Sequence, residues 1–247
     1  MDLPFNLTTA ESIYLAAVLV TAAFVRGYSG FGFSAIIVAS AALVTNPLPL
    51  IPVVFSCEII MTAFQARGIR PHIDWPRALL LLAGTLVAIV PSVMIMARLG
   101  EEAARASISG LILVLSAILL SGWQLKRTVG HAGNFGVGMI AGVANSAGVG
   151  GLPVAAFMSA QPIPPAVFRA TMVVFLTGID LFTLPVMGAN GLIGPDTGKG
   201  ILLAFPFLGL GIWMGTRAFH LASQTQFRRF VVAGLAALSI LNIVSLL

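Results

Sequence analysis

Residues 12–45 read SIYLAAVLVTAAFVRGYSGFGFSAIIVASAALVT, 34 residues in which Arg26 is the sole charge. A continuous helix of that length would run about 51 Å at 1.5 Å per residue, well beyond the roughly 30 Å of a hydrocarbon core. The stretch must therefore break. The place for a break is Arg26-Gly27-Tyr28-Ser29-Gly30-Phe31-Gly32-Phe33, where the glycines give a permissive backbone. A second apolar stretch, residues 133–160, is interrupted in the same way between Gly142 and Pro153, through Asn145, Ser146, Gly148, Gly150 and Gly151. Each stretch is expected either to fold back as a broken hairpin or to continue as two helical pieces.

Composition sets the solvent. The chain is 58% hydrophobic and 9% charged, with a mean hydropathy of +1.03. A soluble domain carries roughly a quarter charged residues, so there is too little charge here to coat a globule. The formal charge of +5 does not point to nucleic acid, because the basic residues lie in short stretches between apolar runs, as the positive-inside bias distributes them. No nucleic-acid partner is expected. The single Cys57 lies in an apolar run and reads as a packing residue. Asp2 and Glu11 precede or open the first run with no Lys or Arg beside them, which argues against a cleaved signal and places the N-terminus outside the cytoplasm.

Six plain helical spans are expected at 50–66, 78–97, 105–122, 166–187, 200–216 and 229–246. With the two broken stretches they make eight long apolar segments, or about ten helical pieces. An internal repeat organises them. Gly30-Phe31-Gly32 matches Gly148-Val149-Gly150, Asn46-Pro47-Leu48-Pro49 matches Gln161-Pro162-Ile163-Pro164, and Pro52-Val53-Val54-Phe55 resembles Met172-Val173-Val174-Phe175. The halves are 1–128 and 129–247 within one membrane domain, each a broken hairpin followed by three helices.

Loop charges orient the halves. Loop 67–77 carries Arg67, Arg70 and Arg77 against Asp74, while its counterpart 188–199 has only Lys199 and Asp196. Loop 98–105 balances Arg98 and Arg105 with Glu101 and Glu102, while its counterpart 217–229 has Arg217, Arg228 and Arg229 and no acid. The bias reverses, so equivalent loops are expected on opposite sides of the membrane. Lys126 and Arg127 place the linker in the cytoplasm. The expected fold is thus an all-α polytopic membrane protein with two inverted repeats and both termini outside the cytoplasm. Eight plain spans with parallel halves would leave the loop charges unexplained. Inverted repeats with broken helices are an architecture in which secondary transporters bind substrate near the midplane.

The candidate chemistry follows from the breaks. A helix that restarts after a break exposes backbone N–H groups at its positive end, which binds anions without a charged side chain. Gly27, Gly30, Gly32, Gly148, Gly150 and Gly151 would let a small anionic substrate approach the backbone, and Ser29, Ser34, Asn145 and Ser146 could add hydrogen bonds. The alternative for these small residues is close helix packing. Arg26, Glu58, Arg169 and Asp180 are ionisable groups within apolar segments, where charge marks a pathway or a buried pair. Arg26 and Arg169 suit oxyanion contact, with snorkelling as the alternative. Glu58 and Asp180 are candidates for proton coupling, or for structural pairs with Arg26 and Arg169. Neutralising Arg26 is expected to abolish anion binding and leave the chain folded. His72, His131 and His220 form no metal motif, no nucleotide motif occurs, and neither cofactor, metal site nor enzyme activity is expected.

At the two breaks, Arg26 to Phe33 and Ala141 to Pro153, each followed by the proline stretches at Pro47 and Pro162, the sequence resembles the TauE/SafE family of sulfite exporters and related anion transporters. The family often shows a longer glycine run where Phe33-Ser34 stands here. The resemblance implies export of sulfite, a sulfonate or another small organic anion across a bacterial inner membrane. Two other readings stay open on the residues alone: a cation or metal carrier built on Glu58 and Asp180, and a non-transporting membrane scaffold. A homodimer is compatible with the sequence and no residue demands one.

Overall fold

The structure, a computed structural model, describes residues 4–121, 124–125, 127–219 and 223–245. Among them every regular element is helical. Lys126 and His220 lie outside the described residues. Both long apolar stretches break where the glycines stand. The first gives α1 (Thr9–Ser29) and α2 (Phe33–Ala41); the second gives α6 (His131–Asn145) and α7 (Gly151–Ser159). Helices stand where the six spans are expected between and after them: α3 (Ile51–Ile69), α4 (Trp75–Met96), α5 (Glu101–Leu120), α8 (Pro165–Ala189), α9 (Thr197–Ala218) and α10 (Gln224–Ser245). Among the described residues, five helical stretches are long and apolar enough to cross a membrane; they comprise α1, α3 with its flanking turns, α4, α8 and α9.

Local signals set the helix ends. Thr8 and Glu11 close a capping box on α1: Glu11 N–H donates to Thr8 Oγ1 at 3.3 Å, and Thr8 N–H donates to Glu11 Oε2 at 2.7 Å. Asp74 caps α4 by accepting from Arg77 N–H at 3.2 Å. The helix expected to begin at residue 105 begins instead at Glu101, where Glu102 is well placed in a first turn, beside the positive end of the helix. Arg105 is therefore a helix residue, and its Nη2 donates to Ala42 O, just past the end of α2.

Contacts between distant segments sort the chain into two ends. At the amino-terminal end, Phe5 N–H donates to Asp196 Oδ2 at 3.0 Å, and Phe5, Leu7 and Tyr14 pack with Leu15, Ala41 and Leu50. Arg105 brings the start of α5 to the same region through Ala42. At the linker end, Asp74 N–H donates to Thr171 Oγ1 at 3.0 Å, Val129 N–H donates to Gln161 Oε1 at 2.9 Å, and Leu125 N–H donates to Ala160 O. Phe219, just past α9, lies there beneath Arg169. So α1, α3, α5 and α9 start at the amino-terminal end, and α4, α6 and α8 at the linker end.

Packing between the halves is reciprocal. The first helix of each half packs on the second helix after the hairpin of the other, α1 on α9 and α6 on α4. The central pair is α3 against α8, and α5 lies against α10. Glycines bring the two outer crossings close. A Cβ on Gly215 would sit 2.1 Å from Phe24 O, and one on Gly84 would sit 2.0 Å from Phe135 O. In lipid there is little hydrophobic drive for helix association, so such close van der Waals contact carries much of it. Gly215→Leu should therefore cost about 1–3 kcal/mol through overpacking. Gly209→Leu, at an α9 position with nothing near its Cβ, should stay within about 0.5 kcal/mol of wild type. Thermal melts in detergent compare the two, and equal melting temperatures would refute the glycine-mediated crossing.

Candidate functional site

The two breaks differ in detail but share their first glycine. Gly30 and Gly148, 118 positions apart, have φ of +83° and +76°, a region that favours glycine. Each also sits where a side chain would strike the other half. A Cβ on Gly30 would lie 2.9 Å from Arg169 O, in the opening turns of α8, and one on Gly148 would lie 2.8 Å from Val38 Cγ2 and 3.5 Å from Ile51 Cγ1, at the start of α3. The second glycines part ways. Gly32 has φ of +91°, whereas Gly150 has an ordinary helical φ of −56° and is small for a different reason: Asn145 Oδ1 would be 2.6 Å from its Cβ. Gly151 packs against Leu176. Gly27 packs against α9 and gives its carbonyl to Arg169.

The polar residues of the breaks hold the breaks themselves. Ser29 Oγ lies 2.8 Å from Val25 O and 2.9 Å from Phe31 O, and accepts from Phe31 N–H at 3.4 Å. Ser146 Oγ donates to Val143 O at 2.8 Å, and Ser34 is buried in the first turn of α2. Asn145 Nδ2 donates to Thr183 Oγ1 on α8 at 2.8 Å. Ser29 also lines a cavity of about 210 Å³ at the linker end, with Phe31, Ser159, Gln161 and Phe168. Phe31 and Phe168 meet edge to face there, centroids 5.9 Å apart.

Three of the four intramembrane ionisable residues converge. Arg26 Nη1 is 3.1 Å from Glu58 Oε1, and its Nη2 donates to Thr62 Oγ1 at 3.1 Å. Asp180 approaches Glu58 from α8 closely enough for both Glu58 and Arg26 to act on its charge. Arg26, Glu58 and Asp180 are all at most 1% exposed. Arg26 is thus no snorkelling side chain. Its Nε, Glu58 Oε2 and both Asp180 oxygens have no hydrogen-bond partner within 3.5 Å. The charges do not cancel: one guanidinium faces two carboxyl groups. One proton held by the Glu58–Asp180 pair makes the cluster neutral, and a second would leave it cationic. The guanidinium bonds Glu58 Oε1, and among the described residues no three His, Cys, Asp or Glu side chains gather.

Arg169 stands apart from that cluster. It starts α8 three turns away from Asp180, its Nη2 donates to Gly27 O at 2.6 Å, and its guanidinium lies 4.6 Å from the Phe219 ring centroid. The sequence-level pairing of Arg169 with a carboxylate is therefore replaced by a backbone carbonyl and an aromatic face. Sequence reasoning also passed over Thr62, which joins Arg26 to Thr177 through a 2.7 Å hydroxyl contact. The signal was there, because Glu58 and Thr62 share a helix face at a spacing of four.

A family model described as Sulfite exporter TauE/SafE matches residues 14–241, most of the chain. No curated protein and no solved structure matches it.

The buried pair changes what Arg26 variants should do. Removing one partner of such a pair costs about 3–5 kcal/mol, because the other charge is left uncompensated. Arg26→Gln is thus expected to destabilise the chain strongly, contrary to the fold-neutral outcome that the sequence alone suggests. Adding Glu58→Gln should recover most of the loss. Thermal melts of both single variants and the double variant test this, and strictly additive losses would contradict it.

Proposed function

As the chain belongs to the sulfite exporter TauE/SafE family, we propose that it is a secondary transporter moving sulfite or a small organosulfonate out across the bacterial inner membrane, coupled to protons at Glu58 and Asp180. The observation that carries this reading is the buried triad, in which the Arg26 guanidinium is paired with Glu58 and a second carboxyl group, Asp180, lies beside them. Protonation of the two carboxyl groups releases the positive charge of Arg26, and a monovalent oxyanion restores neutrality. A guanidinium suits this exchange, since it can trade a carboxylate for a sulfonate with the same planar donor fork. Anion and proton then move as linked cargo.

The helical framework gives the triad its surroundings. Arg26 lies one turn before the first break, and Asn145, three residues before Gly148, is tied to α8 as Arg26 is tied to α3. The backbone N–H groups of α2 begin at Gly32, where no side-chain cap occupies them. The polar cavity at the linker end supplies a route from that side to Ser29. Helix starts at opposite ends, α1 at one and α6 at the other, support the inverted arrangement of 1–128 and 129–247. With Arg67, Arg70 and Arg77 at the linker end, that end faces the cytoplasm and both termini lie outside. Alternating access then consists of opening the contacts of each break with the opposite half.

Thermal stabilisation of the detergent-purified chain by a panel of anions and divalent metals tests the site. Sulfite or a sulfonate at 100 times its dissociation constant should add about 2.7 kcal/mol, while chloride and metals add little. Glu58→Gln should keep the anion response and Arg26→Gln with Glu58→Gln should lose it. An undiminished response in the double variant would remove Arg26 from the site, and stabilisation by metals alone would overturn the anion reading.

A further inference from the structure

We infer that protons reach the Glu58–Asp180 pair from the linker end along one face of α3, through Gln65 and the joined hydroxyls of Thr62 and Thr177. The inference rests on the proposed role of that pair as a proton acceptor, and adds the route by which the proton arrives. It starts from spacing. Glu58, Thr62 and Gln65 fall at i, i+4 and i+7, so seven residues return to within about 20° of the same direction on a helix of 3.6 residues per turn. All three side chains lie on the buried side of α3, which packs against α8. From Glu58 to Gln65 the helix rises about 10 Å towards the linker end.

Gln65 is the residue that asks for an explanation. It is 6% exposed, and neither its amide nitrogen nor its amide oxygen has a hydrogen bond. A buried polar group without a partner destabilises the fold, so a leucine would serve packing better at this place. A side chain with one acceptor and two donors is suited to order water molecules in a dry interior. At the far end of the same face is Glu58, with Asp180 of α8 beside it. Between Gln65 and Glu58 stand the Thr62 and Thr177 hydroxyls, 2.7 Å apart; each also reaches a carbonyl of its own helix, Glu58 O at 3.0 Å and Val173 O at 2.9 Å, and turns from it to pass a proton on. At every hop one O–H bond forms as another breaks. The proton ends on a carboxylate oxygen, and no electron changes hands. The amide of Gln65 positions water and carries no proton itself.

The charges around this route are few. Arg26 faces the pair from α1, and Cys57 is its neighbour on α3. The other ionisable groups on α3, α8 and the helices packed against them lie towards helix ends: Arg67 on α3, Arg169 on α8, Arg77 on α4, His131 on α6, and Lys199 and Arg217 on α9. Where the face meets the linker end, Asp74 N–H donates to Thr171 Oγ1 beside Arg70 and His72.

Proteoliposomes loaded with a pH-sensitive dye and driven by a sulfonate gradient test the route. Gln65→Leu should slow proton movement about tenfold or more, roughly 1.4 kcal/mol on the barrier. Its melting temperature and its stabilisation by sulfonate should match or exceed those of wild type. Gln65→Ser, which makes room for a further water, should recover the rate. An unchanged rate of proton movement in Gln65→Leu would overturn the route while leaving the transporter reading intact. Wild-type sulfonate flux with no proton movement would instead sink the carboxyl pair as a coupling site, and the route with it.

Discussion

A guanidinium with no exposure inside an apolar bundle dictates much of what surrounds it. Arg26 cannot reach water, so it must be met by opposite charge and by acceptors, and Glu58 and Thr62 supply both. That requirement fixes α3 against the end of α1. Asp180 brings α8 to the same point, and with it the second half of the chain. A single carboxylate would have balanced Arg26 and left an inert ion pair. Two carboxyl groups face one guanidinium, and the proposed proton coupling rests on that excess.

The backbone around the triad is arranged by small residues for two separate reasons. Gly30 and Gly148 end their helices with a positive φ and press against the other half. Gly27, Gly211 and Gly215 let α1 and α9 touch backbone to backbone, and Gly84, Gly138 and Gly142 do the same for α4 and α6. The breaks thus sit between two tight glycine crossings. Motion at a break is expected to move whole helix pairs rather than a loop, which is how a local event at Arg26 can reach both ends of the molecule.

Much of this was legible before any coordinates. An apolar run of 34 residues is too long to cross once, and glycine spacing located the break to within a few residues. Arg26, Glu58 and Asp180 stood out because charge in an apolar run is costly. What a sequence does not display is who faces whom. Arg169, another charge in an apolar run, binds a carbonyl and an aromatic ring, partners that any residue or any phenylalanine could offer. Ser29 and Ser146 looked free for a ligand, but hydroxyls beside a helix end bond readily to nearby carbonyls. Thr62 and Gln65 were recoverable from their spacing with Glu58. Thr177 was not, because a threonine inside a membrane helix usually does no more than bond back to its own turn.

The central claim is that anion binding and protonation of the Glu58–Asp180 pair are one event. Proton uptake on binding measures it most directly, with purified chain in weakly buffered detergent, a pH dye, and a sulfonate that does not itself titrate near neutral pH. The account predicts that saturating sulfonate takes up about one proton per anion bound, and that the uptake disappears in Glu58→Gln with Asp180→Asn. Saturable sulfonate binding with no change in pH would contradict it.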